Sequence, residues 1–87
     1  MRVVITKGDV IMDYSEYINI DPEILGGRPH IAGTNISVDL ILDQFAAGGS
    51  IDYVLAQYPQ LTQEQVFAAF AFASEYIYKR YHQQYAA

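Results

Sequence analysis

The side chains able to do chemistry are few, and their spacing serves none of the common reactions. His30 and His82 stand in different halves of the chain, neither has a Ser or Asp signature beside it, and there is no cysteine. Nucleophilic catalysis needs a nucleophile next to a base and an orienting acid, and no such trio can be read here. Asp39 and Asp43 fall on one face of an expected helix. A catalytic metal wants several convergent ligands, however, and no histidine accompanies them, so a solvated face is expected. In the loop "GGRPHIAGTN" the glycines would let backbone approach an anion near Arg28 and His30, but there is neither Gly-Lys-Ser/Thr nor GxGxxG. Arg28 is expected instead to brace the loop through carbonyls or to pair with Asp21 or Glu23, with the glycines and Pro29 fixing turns. These residues argue against an enzyme, and they call for no cofactor and no metal.

The last stretch, "EYIYKRYHQQYAA", gathers Lys79, Arg80 and His82 among four tyrosines. Its plainest reading is a helix end whose basic residues complement the helix dipole. A functional reading makes Lys79 and Arg80 a docking tail for an acidic partner. Stacking of RNA bases on the tyrosines is a third idea, for which two bases are few.

The elements that must position these residues divide the chain into two textures. Residues 1–37 are rich in Val and Ile and broken by glycines. There "RVVIT" and "VIMDY" flank Lys7-Gly8-Asp9 as an expected hairpin turning at Gly8. "EYINI" reads as a further extended piece ended by Asp21-Pro22, and "HIAGTNIS" as a tiny hairpin turning at Gly33. Residues 38–85 read as three helices. Ser37 caps the first, running to about Ala47, with Val38, Ile41, Leu42 and Phe45 inward. Ser50 caps the second, where Ile51, Val54, Leu55 and Tyr58 follow helical spacing until Pro59 stops it. Thr62 with Gln65 forms a capping box that opens the third, running past Arg80. A break at Pro59-Gln60-Leu61 before the last helix is compatible with a helix-turn-helix.

Eighty-seven residues make one small domain. Half of it is hydrophobic, with eight tyrosines, which is more apolar material than one small core hides. A homodimer or higher homo-oligomer is therefore expected. The net charge of −5 opposes attraction to phosphates and to anionic lipid. No stretch approaches the roughly 18 apolar residues of a membrane span, and the start, "MRVVITKGDV", is too short an apolar run for a secretory signal. The default expectation is a soluble cytoplasmic protein.

The ordered set Ile20-Asp21-Pro22, Gly27, Pro29, Ile31, Gly33-Thr34, Ile36 and Val38, then Gly49-Ser50, Tyr58-Pro59, Leu61-Thr62 and Val66, resembles domain-of-unknown-function family 433 over residues 18 to 73. The resemblance implies a homeodomain-like tri-helical fold with short N-terminal strands, and an antitoxin-like partner of small PIN-type nuclease toxins. The family motif marks the loop residues Gly27, Arg28, Pro29, Gly33 and Thr34. The position after Gly-Thr, usually arginine in the family, is Asn35 here, so any contact made by that arginine cannot be carried over.

Whether the third helix reads DNA turns on charge. Between Arg28 and Lys79 there is no Lys or Arg, while Asp39, Asp43, Asp52, Glu64 and Glu75 lie in that window. DNA affinity is dominated by phosphate neutralisation, so Thr62, Gln63 and Gln65, the candidate base contacts, would have little electrostatic help. Read at helical period, Val66, Phe70, Ala73 and Ile77 make an inner stripe and Glu64, Ala68, Ala71, Glu75 and Lys79 the outer face. Phe67, Phe72, Tyr76 and Tyr78, joined by Tyr81, are left for a neighbouring chain. The expected protein is thus α+β and mainly α, with short N-terminal strands before a tri-helical, helix-turn-helix-like bundle. Its expected function is protein interaction of the antitoxin kind, by occlusion of a nuclease partner. Transcriptional autoregulation through DNA, or self-association alone, are the alternatives.

Overall fold

The computed structural model describes residues 2–6 and 9–85, with side chains from 13 to 81. β1 (Arg2–Thr6) and β2 (Asp9–Asp13) pair antiparallel, Arg2 opposite Asp13 and Thr6 opposite Asp9. The turn expected at Gly8 lies outside the described residues. β3 (Ile18–Asn19) pairs antiparallel with β4 (His30–Ile31), placing Ile18 beside Ile31 and Asn19 beside His30. Three helices complete the order, α1 (Val38–Ala46), α2 (Ile51–Gln57) and α3 (Gln63–Tyr85).

Each helix starts where its capping side chain stands. Ser37 Oγ accepts from Leu40 N at 3.2 Å and Ser50 Oγ from Tyr53 N at 3.1 Å. Thr62 and Gln65 close a reciprocal box: Thr62 N donates to Gln65 Oε1 at 2.8 Å, and Gln65 N donates to Thr62 Oγ1 at 3.2 Å. These satisfy amides that a helix N-terminus otherwise leaves open. α1 stops at a glycine, Gly48 at φ +97°, a conformation that costs other residues.

The Gly-Thr pair also has a local cause. Gly33 takes φ +79° at the turn, and the Thr34 hydroxyl donates to Ile31 O at 2.8 Å while accepting from Ile36 N at 3.0 Å. With Ile31 N bonded to Ile36 O and His30 bridged to Ser37, the stretch is the small hairpin expected. It delivers Ile31, Ile36 and Val38 to the core, where Ile41, Val54, Leu61, Val66 and Ala69 meet them. All three helices and β4 contribute to that core, so no single element folds it alone.

One face assignment on α3 is overturned. Val66 is buried as expected, but Phe70 and Ile77 are exposed, while Ala68, expected outside, is completely buried. The cause is a second layer. α3 meets α1 and α2 on one side, and it meets β2 together with β3 and β4 as well. Tyr14, just after β2, donates its hydroxyl hydrogen to Glu75 and sets its ring edge-on to Phe72 at 5.4 Å. Ala68 shares the face of Phe72 and Glu75, being four and seven residues before them. Small residues at 68, 69 and 71 let neighbours approach α3 from two sides. Periodicity tuned to one buried stripe does not see this.

Candidate interaction surface

With two sides of α3 occupied, the remaining side presents Phe67, Phe70, Ser74, Ile77, Tyr78 and Tyr81. At 100° per residue these fall within an arc of about 100°, along about 21 Å of helix. Exposure is 39% at Phe67, 37% at Phe70, 64% at Ile77, 39% at Tyr78 and 63% at Tyr81. Taking about 200 Å² for a full side chain, the five display roughly 500 Å² together, as much as the largest apolar patch on a typical monomer. No charged residue falls in the arc. Phe70 is held in place by Phe45 of α1, edge-on with centroids 4.8 Å apart.

Of the five aromatic residues expected at an interface, Phe67, Tyr78 and Tyr81 lie on this face, while Tyr76 is exposed on the far side of the helix, beside Phe72. Phe72 is placed differently. It is half-buried against the core, meets Tyr14 edge-on and stacks on Tyr76 at 6.1 Å. Phe70 and Ile77 take the outward positions instead.

A shallow groove of about 310 Å³ lies between α1 and α3, lined by Pro29, Val38, Leu42, Phe72, Ala73 and Ile77 together with Asp39 and Tyr76. Its Asp39 pairs with Arg28, whose Nη1 lies 3.3 Å from Asp39 Oδ2 and whose Nε donates to Leu25 O at 3.3 Å. Arg28 thus braces a carbonyl as expected, but pairs with Asp39 rather than with Asp21 or Glu23. Asp21 caps its own turn instead, accepting from Glu23 N at 2.9 Å. The backbone beneath is left-handed through Leu25, Gly26 and Gly27, which explains the two glycines.

The basic tail is already engaged within the chain. Lys79 Nζ lies 3.6 Å from Glu75 Oε2, the i, i+4 pair expected. Arg80 donates to the Tyr76 hydroxyl at 3.3 Å and sits over that ring, 5.8 Å from its centroid. Glu75 therefore takes both a cation and the Tyr14 hydroxyl. Burial, then that hydrogen bond and the nearby negative charge of Glu75 and Asp13, push the Tyr14 hydroxyl up to about 12.

Among the candidate base contacts, Thr62 and Gln65 have their oxygens committed to the capping box, and Gln63 stands beside Glu64. Behind them lies a cavity of about 630 Å³ whose walls include His30, Gly33, Thr34, Asn35, Gln60 and Gln65. None of its lining residues is Lys, Arg, Asp or Glu, so it offers no charge to an ionic ligand. His30 is buried, with Nδ1 3.0 Å from Arg28 O. A carbonyl only accepts, so Nδ1 carries the proton and the ring serves the loop. Among the described residues no three His, Asp or Glu side chains converge as metal ligands, and no helix is long and apolar enough to cross a membrane.

Fold and surface together define a small α+β domain of two strand pairs and three helices, with an uncharged apolar face on its longest helix. The chain belongs to the family described as "Protein of unknown function (DUF433)", whose model matches residues 18–73. It is similar to the uncharacterized protein y4eO of Sinorhizobium fredii, 32% identical over 73 residues, or 84% of this chain and 33% of that protein. The chain thus spans about a third of that relative's length. It is also similar to a crystal structure of a DUF433 member protein from Anabaena variabilis. That match has 30% identity and a TM-score of 0.62, covering 80% of this chain and 60% of the other.

Proposed function

We propose that this chain is a homo-oligomeric protein-interaction domain that acts by covering a partner's surface, as the antitoxin half of a pair with a small PIN-type nuclease would. The observation that supports it is the α3 face: roughly 500 Å² of apolar side chain with no charge in it, on a helix that packs elsewhere against α1, α2 and the strands. An enzyme or an ion-binding domain needs converging polar groups, and this surface has the opposite composition. The nuclease as partner rests on the family resemblance, with exposed Lys79 and Arg80 able to exchange their internal contacts for a carboxylate-lined site. DNA is the weaker reading. Two of the three candidate base contacts serve the capping box, and no Lys or Arg lies between Arg28 and Lys79 to neutralise phosphate.

Co-expression of the untagged product of the neighbouring gene with the tagged chain tests this reading. The expected result is co-purification at fixed stoichiometry that persists in physiological salt. Failure to co-purify, together with sequence-selective binding of the chain to its own promoter at that salt, would replace the partner reading with the transcriptional one.

A further inference from the structure

The aromatic residues on the exposed face of α3 stand symmetrically about Ser74. Phe67 and Tyr81 lie seven residues to either side of it, and Phe70 and Tyr78 lie four. Measured around the helix from Ser74, these four positions stand about 20° and 40° off centre, alternately left and right. An aromatic therefore occurs at equal distance on both sides of a small central residue.

We propose that this face binds a second copy of the chain, α3 against α3, as an antiparallel pair whose two-fold axis passes through Ser74. The proposal rests on reading the chain as an interaction domain and narrows it to one partner and one geometry. A two-fold interface must be self-complementary, each residue meeting its mirror in sequence about the axis. Here Phe67 shares a layer with the second copy's Tyr81, Phe70 with the second copy's Tyr78, and the two Ser74 side chains face each other. Ile77 covers the seam from beside Phe70. The positions 67, 70, 74, 78 and 81 are spaced three, four, four and three, the same in both directions from Ser74, as a two-fold at that residue requires.

Area, charge and order favour this occupant. Each copy brings roughly 500 Å² of apolar side chain, and a standard interface needs about 800 Å² per partner and a small one about 600 Å². The balance falls to the rim, where Ala71, Ala73 and Gln63 flank the stripe. Two copies each carrying −5 repel, but the arc holds no charge, and charges off the arc are screened beyond about 8 Å at physiological salt. Phe70 is preorganised by Phe45, so ordering it at an interface costs little entropy. A lipid surface suits the face poorly, since interfacial helices flank their apolar stripe with Lys and Arg.

The chain has no cysteine, so Ser74→Cys carries its only thiol. Helix axes 8–10 Å apart, less twice the 2.3 Å Cα radius, leave facing Cα atoms about 3.4–5.4 Å apart, overlapping the range a disulfide accepts. Under mild oxidation S74C is expected to become a covalent dimer nearly completely. Asp43→Cys, on the exposed outer face of α1, should stay monomeric on the same non-reducing gel. A mixture of Phe67→Cys and tagged Tyr81→Cys should yield mainly the mixed cross-link, and Ile77→Asp should shift the wild-type mass measured by light scattering from dimer to monomer. Circular dichroism confirms that each variant is folded. A monomeric wild type at micromolar concentration overturns the pairing, as does a dimer in which S74C cross-links no faster than D43C. If the pairing fails while the neighbouring product still co-purifies, the interaction reading stands without it. If S74C links efficiently and nothing co-purifies, the pairing stands and the partner reading falls.

Discussion

Replacing Ala68 by leucine separates the two accounts of α3 most cleanly. If residue 68 faced solvent, as one-stripe periodicity predicts, the change would be nearly neutral, because Ala and Leu differ by only a few tenths of a kcal/mol in helix propensity. In the structure Ala68 is fully buried, on the face that carries Phe72 and Glu75. Three added carbons have no room there and must displace a neighbour. Overpacking of this kind costs about 1–3 kcal/mol. The displaced layer would be the segment around Tyr14, whose hydroxyl bonds Glu75, so the upper part of that range applies if this contact opens as well. For a domain of this length 1 kcal/mol moves the thermal midpoint by about 4–8 °C, so Ala68→Leu should lower it by at least about 4 °C. Ala46→Leu, at the exposed end of α1, is the matched control and should shift it little. Both melts belong at one protein concentration, since self-association shifts the midpoint by mass action. A midpoint for A68L within a degree or so of A46L would refute the two-sided packing of α3 and return residue 68 to the outer face.

Tyr14→Phe should cost about 1 kcal/mol or less at neutral pH, since the lost bond is to a carboxylate but only partly buried. The hydroxyl pKa is raised from 10.0 to about 12, so its contribution is present in full below pH 10 and lost as pH climbs toward 12. Wild type and Y14F should therefore differ in denaturant midpoint up to pH 10 and converge above it; a constant difference through pH 12 would contradict the assigned contact. Gly33→Ala should destabilise by roughly 1–2 kcal/mol on conformation alone, because φ is +79° and nothing lies within 4 Å of the added carbon. Gly33→Asn should cost less in the same chemical denaturation, and equal costs would point to a steric rather than a dihedral cause.

How far the fold could be read from the chain depended on how local each determinant is. The serine caps, the Thr62–Gln65 box and the Gly33 turn act over two to three residues, and the structure places each where the sequence does. The stripes of α1 and α2 were legible for a related reason: each helix buries one side, so a single periodicity describes it. α3 departs from a single periodicity at Ala68, Phe70 and Ile77 because its environment is set by β2 and Tyr14, more than fifty residues earlier in the chain. The same distance hides the Tyr14–Phe72–Glu75 cluster, whereas the Arg28–Asp39 pair, eleven residues apart, depends on how the left-handed loop at Leu25–Gly27 turns Arg28 onto α1. The surface was half legible. Its tyrosines announce an excess of apolar area, but which aromatics face outward depends on the layer that β2 and Tyr14 supply.

The two-fold arrangement also limits what the basic tail can do. Lys79 and Arg80 stand five and six residues beyond Ser74, so in an antiparallel pair the two Arg80 residues are separated by twelve helical steps, about 18 Å along the axis. One acidic active site therefore meets one tail, with two cations and no more. Each cation is exposed and already has a contact within its own chain, Lys79 with Glu75 and Arg80 with Tyr76, so docking exchanges one weak contact for another. Charges placed in this way steer an encounter more than they hold a complex. With a co-purified partner in hand, Lys79→Ala/Arg80→Ala should slow association several-fold at low salt, lose most of that effect at high salt, and leave the dissociation rate nearly unchanged. A dissociation rate raised tenfold or more would instead place the tail in the desolvated centre of the contact.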